Sequence, residues 1–342
     1  MSAESAFNLR QAFDVLDGVV VDEPVVVDGF ARFGGYELVG HSSQTNEFCG
    51  TFLSFKGCLN VDGHEGKVWK GLDCTNKAFI RVVHHWCNNP RCSTCYESGW
   101  SVREAGKIEQ RLVVGAKRFG LVQHIVASVP LRDYGLSYGA LRSAVIKALF
   151  VRGVVGGVLI FHGFRYNNVE EARRKRVVVG WYWSPHWHCL GFIFGGFSKC
   201  RHCEFCDRSL RGNCRSCSGF YGRSMDAYGD DAFIVEVMEE RKTIFGTAWY
   251  QLHHSSIDVS KRRFHVATWF GVCSYRKLKV TPEKRKDLCP ICQEDLEKLF
   301  HVGVRRIVKV KGQCGYVGSF LDDVFDEDGR ANWVLASSST YR

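Results

Sequence analysis

Two histidines, His186 and His188, stand two residues apart inside a run of residues that favour β-structure. The residues that flank the pair are large and apolar: Trp181, Tyr182 and Trp183 before it, and Leu190, Phe192, Ile193 and Phe194 after it. Side chains alternate between the faces of a strand, so the two imidazoles project from one face, about 6–7 Å apart, while Trp187 points to a core on the other face. Neutral imidazole is the commonest metal ligand in proteins. The segment therefore predicts a strand that presents two ligands to one metal ion. In the structural alternative, one histidine bonds a backbone carbonyl and the other is half-exposed.

The balance of charges favours a polyanionic partner. The 342 residues include 46 Lys and Arg against 36 Asp and Glu, a formal net charge of +10. Hydrophobic residues make up 45% of the chain, enough for a sizeable core. The longest apolar run, Val154 to Phe161, is far shorter than the roughly 20 residues of a membrane span, and the N-terminus does not resemble a signal peptide. We expect a cytoplasmic protein without membrane contact.

Sixteen cysteines, most of them in C-x2-C pairs, predict structural zinc sites, because a reducing compartment disfavours disulfides. The first site is expected in a Cys-rich module over residues 49–102. Its predicted ligands are Cys74, Cys87, Cys92 and Cys95. The competing ligands are Cys49, Cys58, His84 and His85.

Two further groups of cysteines lie later in the chain. A zinc-knuckle insertion at residues 199–219 offers Cys200, Cys203, Cys214 and Cys217, with Cys203 and Cys206 as the alternative pair. A third zinc is predicted at Cys289 and Cys292, with its remaining ligands open. The candidates for these are Cys273, His301 and Cys314.

Residue periodicity between these groups predicts an α+β core over residues 103–280. It indicates helices near 104–119, 134–152 and 243–256, and strands near 121–130, 154–166, 181–194, 233–238 and 265–273. Residues 1–48 are expected to be an N-terminal arm with two short strands, Val19–Val21 and Val25–Val27. Residues 281–342 are expected to be a C-terminal extension with a loose tail.

The His186-x-His188 strand and the order of the surrounding elements resemble the HUH endonucleases, the superfamily of rolling-circle replication initiators, relaxases and some transposases. Within this superfamily, the combination of such a core with zinc knuckles most resembles the replication initiators of archaeal plasmids or viruses. The resemblance implies a ferredoxin-like antiparallel sheet. It also implies a catalytic Mn2+ or Mg2+ held by His186, His188 and a third ligand. His162, on the preceding strand, occupies the corresponding place, with Glu104, Glu109 and His124 as alternatives.

The resemblance further implies a tyrosine nucleophile on a helix that follows the histidine strand. Tyr250 has that place, with His254 one turn on where the superfamily often has Lys. His254 is the second catalytic candidate: it could assist proton transfer from the phenol, bind the phosphate or ligate the metal. The implied reaction is nicking and joining of single-stranded DNA through a 5′-phosphotyrosine, with a single tyrosine. Tyr316, Tyr275 and Tyr221 are the other candidates.

The expected partner is single-stranded or supercoiled DNA at a replication origin. Two basic runs are candidates for contact with its phosphates: Arg173, Arg174, Lys175 and Arg176, and Lys261, Arg262 and Arg263. The chain has no phosphate-binding G-x4-G-K-[ST] motif and thus no ATP site of that kind, so an initiator of this type would use a separate helicase. The competing interpretations are a transposase or relaxase with the same chemistry, a non-catalytic zinc-containing nucleic-acid-binding protein, and a metal-dependent hydrolase without a covalent intermediate.

Overall fold

The chain forms two compact units, each made from two separate segments. The computed structural model describes residues 25–27, 30–41, 46–175, 179–194, 233–238, 243–281, 286–302 and 319–336. The first unit comprises Met1–Ser43 and Ser101–Pro282, and the second comprises Gln44–Trp100 and Glu283–Arg342. The Cys-rich module and the C-terminal extension, expected as separate parts, thus belong to one unit because their strands pair in one sheet.

The helices and strands are numbered along the chain. The described α-helices are α1 (Val102–Phe119), α2 (Tyr138–Val151), α3 (Val169–Lys175) and α4 (Ile244–His253). The strands before α1 are β1 (Val25–Val27), β2 (Phe30–Phe33), β3 (Tyr36–Leu38), β4 (Phe52–Cys58), β5 (Val68–Trp69), β6 (Leu72–Asp73) and β7 (Lys77–His84). Those after it are β8 (Val122–Ser128), β9 (Val154–Asn167), β10 (Gly180–Ile193), β11 (Ile234–Met238), β12 (Ser256–Asp258), β13 (Ala267–Gly271), β14 (Glu297–His301), β15 (Ser319–Asp323) and β16 (Trp333–Leu335). None of the helices described here combines the length and the apolar character needed to cross a membrane.

The histidine strand lies at the centre of the main sheet of the first unit. The strand order is β11-β8-β10-β9-β13, and every neighbouring pair is antiparallel. The predicted α+β class with antiparallel sheets is confirmed. Strand β10 is bonded on both edges, with His186 opposite Ser128 of β8 and His162 of β9.

The two faces of this sheet have different coverings. On one face, Trp187 is fully buried and its ring centroid lies 4.8 Å from that of Phe161, as the alternation of the strand predicts. Helix α2 supplies Leu141 and Val145 to the same core. On the face of the histidines, α1 and α4 contact each other and β10, with Gly115 of α1 against the Phe192 ring. The histidines thus lie beneath helices.

A β-bulge separates the aromatic part of β10 from its histidines. Trp183 pairs with Phe164 and His186 with His162, so Ser184 and Pro185 together face Gly163. Proline has no N–H for a sheet ladder, and a bulge is where a central strand accommodates it. A Cβ on Gly163 would lie only 2.6 Å from the Trp183 ring, so the close approach requires glycine.

Residues 30–41 are part of the first unit rather than an arm. Strand β3 pairs with β12, within a four-stranded sheet of order β1-β2-β3-β12. Leu38 is buried in the same core as Trp187, and the Phe33 ring stacks on Trp183 with centroids 4.6 Å apart. The apolar side chains of this segment are therefore used in tertiary packing.

The second unit is built on a five-stranded antiparallel sheet of order β15-β7-β4-β14-β16. Its strands β4 and β7 come from the segment before the first unit's main body, and the other three from the segment after it. The apolar clusters formed by its described residues are small. Their buried members are Cys58, Phe79, Cys289 and Leu296 in one, and Ala78, Ile80, Leu299 and Trp333 in the other.

Candidate functional site

Three histidines on two adjacent strands converge on one point. One ring nitrogen from each of His162, His186 and His188 lies within 4.8 Å of the others. The ring centroid of His162 is 5.1 Å from that of His186 and 4.4 Å from that of His188. The geometry follows from the sheet, because His186 and His188 share a face of β10 and His162 is the direct partner of His186 across the ladder. The structure thus brings together the three residues that sequence and resemblance indicate.

Each of these histidines has one ring nitrogen held by a partner outside the cluster. His162 Nε2 donates to the Gln251 carbonyl at 2.8 Å, and His186 Nδ1 donates to the Ser184 carbonyl at 2.8 Å. His188 Nδ1 lies 2.9 Å from Nε2 of His124, with one of the two nitrogens carrying the hydrogen. A nitrogen that donates to a carbonyl leaves the other nitrogen of the ring with its lone pair. Such outer partners fix the orientation of metal-binding imidazoles.

Burial keeps the three imidazoles neutral. It lowers the pKa of His162 to about 3, with a further effect from the nearby charge of His254. It also holds the pKa of His186 and that of His188 well below the ordinary value, assisted by Arg165 for the first and by His162 for the second. Metal ions bind the neutral form of histidine, so the cluster is in the ligating state at neutral pH.

The donor set suits a divalent ion with open positions. Three imidazoles provide three ligands, the number that catalytic metal sites commonly take from the protein, and leave room for water or substrate. Imidazole ligands fit several transition metals, whereas Mg2+ prefers oxygen. The histidine cluster can therefore hold a metal ion, and its chemistry agrees better with a transition metal than with Mg2+.

Helix α4 packs against this cluster through its C-terminal turn. The Gln251 carbonyl accepts from His162, and just beyond the helix Ser256 Oγ accepts from the Gly163 amide at 2.8 Å. Tyr250, the residue before Gln251, is 37% exposed. Thr243 caps the helix by accepting from the Gly246 amide at 2.9 Å. The helix is thus fixed at both ends, with Tyr250 on an accessible side.

The two histidines after Tyr250 have different surroundings. The His254 ring lies beside that of Tyr250, with centroids 4.8 Å apart, and its Nδ1 is 3.1 Å from the Tyr250 carbonyl oxygen. His253 instead contacts Ser101 Oγ at 3.2 Å and the Trp249 ring. His254 is not among the ligand atoms of the cluster. Of the two, His254 is the histidine whose ring lies beside that of Tyr250.

Other candidates for the third ligand have different roles. His124 is buried, and its Nε2 shares a hydrogen bond with Nδ1 of His188. Glu104 forms an ion pair with Lys107 at 2.8 Å on the surface of α1. Glu109 is not in the cluster either.

Arg165 is a charged neighbour of the cluster that the sequence does not reveal. Its positive charge lowers the pKa of all three cluster histidines. One of its terminal nitrogens donates to Ser128 Oγ at 2.6 Å, while its buried Nε has no hydrogen-bond partner among the described residues. The pairing of β9 with β10 places it here. By strand alternation a residue three positions after His162 would point to the other face, so the sequence gives no cue to this position.

The two basic runs are partly described. Arg173 and Arg174 are exposed on α3, the short helix between β9 and β10; the side chain of Lys175 and all of Arg176 lie outside the described residues. Lys261, Arg262 and Arg263 are exposed after β12. Lys261 also forms an ion pair with the buried Asp258 at 3.2 Å, so it has a structural contact besides its exposed charge.

The first cysteine cluster lies in the second unit and differs in one ligand from the prediction. Cys49, Cys87, Cys92 and Cys95 group within 4.8 Å, and Cys87 Sγ is 3.3 Å from Cys95 Sγ. Cys74 is instead buried elsewhere, with its Sγ near the Leu72 carbonyl. Cys49 takes its place because β4 pairs with β7, which brings the residues before β4 beside those after β7. The Gly50 amide donates to the His85 carbonyl at 2.8 Å.

A second cluster completes the Cys289–Cys292 knuckle with residues that the sequence interpretation did not select. Its members are Cys58, His64, Cys289 and Cys292. Cys273 is buried in the first unit, and His301 packs on the Trp333 ring with centroids 4.8 Å apart. Cys314 lies outside the described residues. The sequence does not predict this cluster, because Cys58 and His64 are far along the chain from Cys289 and Cys292.

The predicted zinc ligands Cys200, Cys203, Cys214 and Cys217 lie outside the described residues, as do Cys206, Tyr221 and Tyr316.

Comparison with family models, with curated proteins and with solved structures found no significant match for this chain.

Proposed function

We propose that this chain is a metal-dependent endonuclease of HUH type that nicks and joins single-stranded DNA as a rolling-circle replication initiator. The observation that carries the proposal is the hydrogen bond from His162 to the Gln251 carbonyl. It joins a three-histidine cluster to the helix turn that bears an exposed tyrosine. A binding protein with purely structural histidines has no need of that arrangement, and would be expected to bury Tyr250 away from them.

The topology of the main sheet supports the same proposal. Because β8 and β9 are each antiparallel to β10, which lies between them, they run parallel to one another. Helix α2 connects them, which makes a split β-α-β unit of the ferredoxin-like kind. Strand β11 adds on the far side of β8. We infer that this sheet is the nuclease core and that β13 is an addition at its edge.

The proposed reaction is transesterification at a DNA phosphate. Tyr250 Oη forms a bond to phosphorus, and the bond from phosphorus to the 3′ oxygen breaks. His254, beside the Tyr250 ring, takes the phenol proton, and the leaving 3′ oxygen gains a proton from water. The products are a 5′-phosphotyrosine and a free 3′-hydroxyl. Attack by such a hydroxyl on the phosphotyrosine reverses the step, so strands can be rejoined without ATP.

Charge at the site supports a phosphate substrate. A divalent ion held by His162, His186 and His188 would supply a Lewis acid for a non-bridging phosphate oxygen. Arg165 adds a fixed positive charge beside the same histidines, and a guanidinium suits phosphate geometry. Since the protein donors are all imidazoles, we expect Mn2+ to serve better than Mg2+.

The direct test is transfer of labelled DNA to the protein. The full chain is incubated with Mn2+ and a pool of single-stranded oligonucleotides labelled at the 3′ end, then boiled in detergent and run on a denaturing gel. We expect label on the protein, and its loss in Tyr250→Phe and in His186→Ala. Tyr275→Phe is the matched control, because Tyr275 is also exposed in the first unit and should be dispensable.

Other outcomes distinguish the competing functions. Label that survives Tyr250→Phe but not His186→Ala would keep the metal site and assign the nucleophile elsewhere. Cleavage without any protein-bound label would indicate a hydrolase. Tight DNA binding with neither cleavage nor adduct would sink the proposal in favour of a non-catalytic binding protein. Replication and transposition share the chemistry, and joining assays on transposon-end hairpins would separate them.

A further inference from the structure

The second unit is assembled from chain segments that lie far apart in the sequence. Strands β4 and β7 pair with each other, and β14 and β15 then add to their outer edges. The Glu297–Gly57 pair joins two segments that are separated in the sequence by Ser101–Pro282 of the first unit. Among the described residues of this unit few apolar side chains are buried, and small cores usually need a metal or another cross-link.

The cluster of Cys58, His64, Cys289 and Cys292 lies where these segments meet. Cys58 ends β4, His64 ends a 3-10 turn at Asp62–His64, and the other two belong to the knuckle just before β14. Cys58 Sγ is 3.5 Å from Cys292 Sγ, and His64 Nε2 is 3.3 Å from Cys289 Sγ. Each of these contacts therefore joins one segment to the other.

These distances suit one tetrahedral ion. With Zn–S bonds of about 2.3 Å and Zn–N bonds of about 2.0 Å, neighbouring ligand atoms around zinc lie roughly 3.5–3.8 Å apart. A disulfide would bring two sulfurs to about 2.05 Å. The observed 3.5 Å between the Cys58 and Cys292 sulfurs is close to the first value and far from the second.

Groups outside the cluster also hold its ligands in position. His64 is fully buried, and its Nδ1 donates to the Lys77 carbonyl at 2.8 Å, which leaves the Nε2 lone pair facing Cys289. The amides of Ile291 and Cys292 point at the Cys289 sulfur, as in a tight knuckle turn. An outer carbonyl on the histidine and amides on the thiolate are typical supports of a structural metal site.

We propose that one zinc ion bound by Cys58, His64, Cys289 and Cys292 joins the two segments of the second unit and that β14 and β15 depend on it for their order. The cluster of Cys49, Cys87, Cys92 and Cys95 draws all its ligands from the first segment. A zinc ion bound by these four cysteines would stabilise only the first segment, Gln44–Trp100. The ion pairs of Asp287 with Lys56 and Arg81 also cross between the segments, but partly exposed pairs of this kind contribute little.

The test compares zinc content and amide hydrogen exchange in the full chain and its variants. Cys58→Ser and Cys292→Ser should each lose one zinc per chain, and amides of β14 and β15 should exchange roughly 100-fold faster, while those of β9 and β10 keep their protection. Cys74→Ser is the matched control: this cysteine is buried in the same unit but lies in neither cluster. It should keep the full zinc content and the protection of β14.

Two further measurements separate a lost cross-link from general misfolding. Cys49→Ser should also lose one zinc but leave β14 protected, because its cluster is local. Wild-type protein stripped with a chelator should lose protection in β14 and regain it when Zn2+ is added back. Iron in place of zinc in the purified protein, full zinc in Cys58→Ser, or loss of zinc without faster exchange in β14 would each overturn the proposal.

Discussion

At the scale of single residues, the surroundings of Arg165 support the proposed phosphate contact. It is half-buried beside three neutral histidines, and the described contacts give it no acidic partner. Its one described hydrogen bond, to the neutral Ser128 hydroxyl, orients the side chain without cancelling its charge. A cation without a counter-ion next to a candidate metal site lowers the free energy of a bound or reacting phosphate.

Arg165→Gln should lower the rate of DNA cleavage by about 100-fold, since it removes one fixed donor for developing charge. Rapid-quench measurement of adduct formation with Mn2+ gives this rate. Arg132→Gln, which neutralises an exposed arginine of the same unit, should change it little. Equal rates for wild-type and Arg165→Gln would remove Arg165 from the proposed chemistry.

At the scale of elements, the bulge in β10 sets the position of the histidine cluster. It shifts the register by one residue, so that His186 faces His162 while Trp183 and Trp187 both remain in the core. Without it, Ser184 would face Gly163 and Pro185 would face His162, so His162 would share a face with Trp187 and not with His186. The third ligand therefore depends on backbone irregularity as well as on sequence.

Gly163→Ala should destabilise the chain by roughly 1–3 kcal/mol, because the new methyl group would overlap the Trp183 ring. It should also weaken Mn2+ binding, since His162 is the adjacent residue. Denaturant unfolding and a Mn2+ titration followed by electron paramagnetic resonance measure the two effects.

The matched substitution is Gly139→Ala, near the start of α2, where an added Cβ meets no atom within 4 Å. In a helix, alanine is favoured over glycine, so stability should stay unchanged or rise by up to about 1 kcal/mol. If both variants unfold and bind Mn2+ like the wild type, the close packing at the bulge does not constrain the site.

At the scale of the whole molecule, the net charge of +10 favours an electrostatic contribution to the proposed binding of DNA. Arg262 and Arg263 are exposed in the first unit, directly after the ion-paired Lys261. If both contact phosphates of single-stranded DNA, each contributes about 0.7 to the slope of log K against log salt concentration.

Replacing Arg262 and Arg263 together by Gln should therefore reduce that slope by about 1.4, as measured by fluorescence anisotropy over a salt series. The control neutralises Lys117 and Arg118, another adjacent pair of exposed cations, at the end of α1. The two double variants carry the same net charge. A like reduction in both would mean that overall charge, and not this segment, drives binding.

Much of the fold of the first unit could be predicted because its signals are local. Hydrophobic periodicity located α1, β8, α2, β9, β10, β11, α4 and β13 to within a few residues, and the alternation of β10 correctly placed Trp187 opposite the histidines. The contribution of Leu38 to the core was missed, since a short strand that pairs with the distant β12 has no periodic signal of its own.

The sequence by itself determined which residues could be ligands: the His186-x-His188 pair and the C-x2-C knuckles, whose spacing already places two donors together. The tertiary structure decided how those pairs were completed. Cys49 replaced Cys74, Cys58 and His64 joined Cys289 and Cys292, and His124 and Arg165 took positions around the histidines. A metal site needs four or so donors within a few ångströms, and a chain of 342 residues brings most of them together through strand pairing between distant segments, which local patterns do not encode.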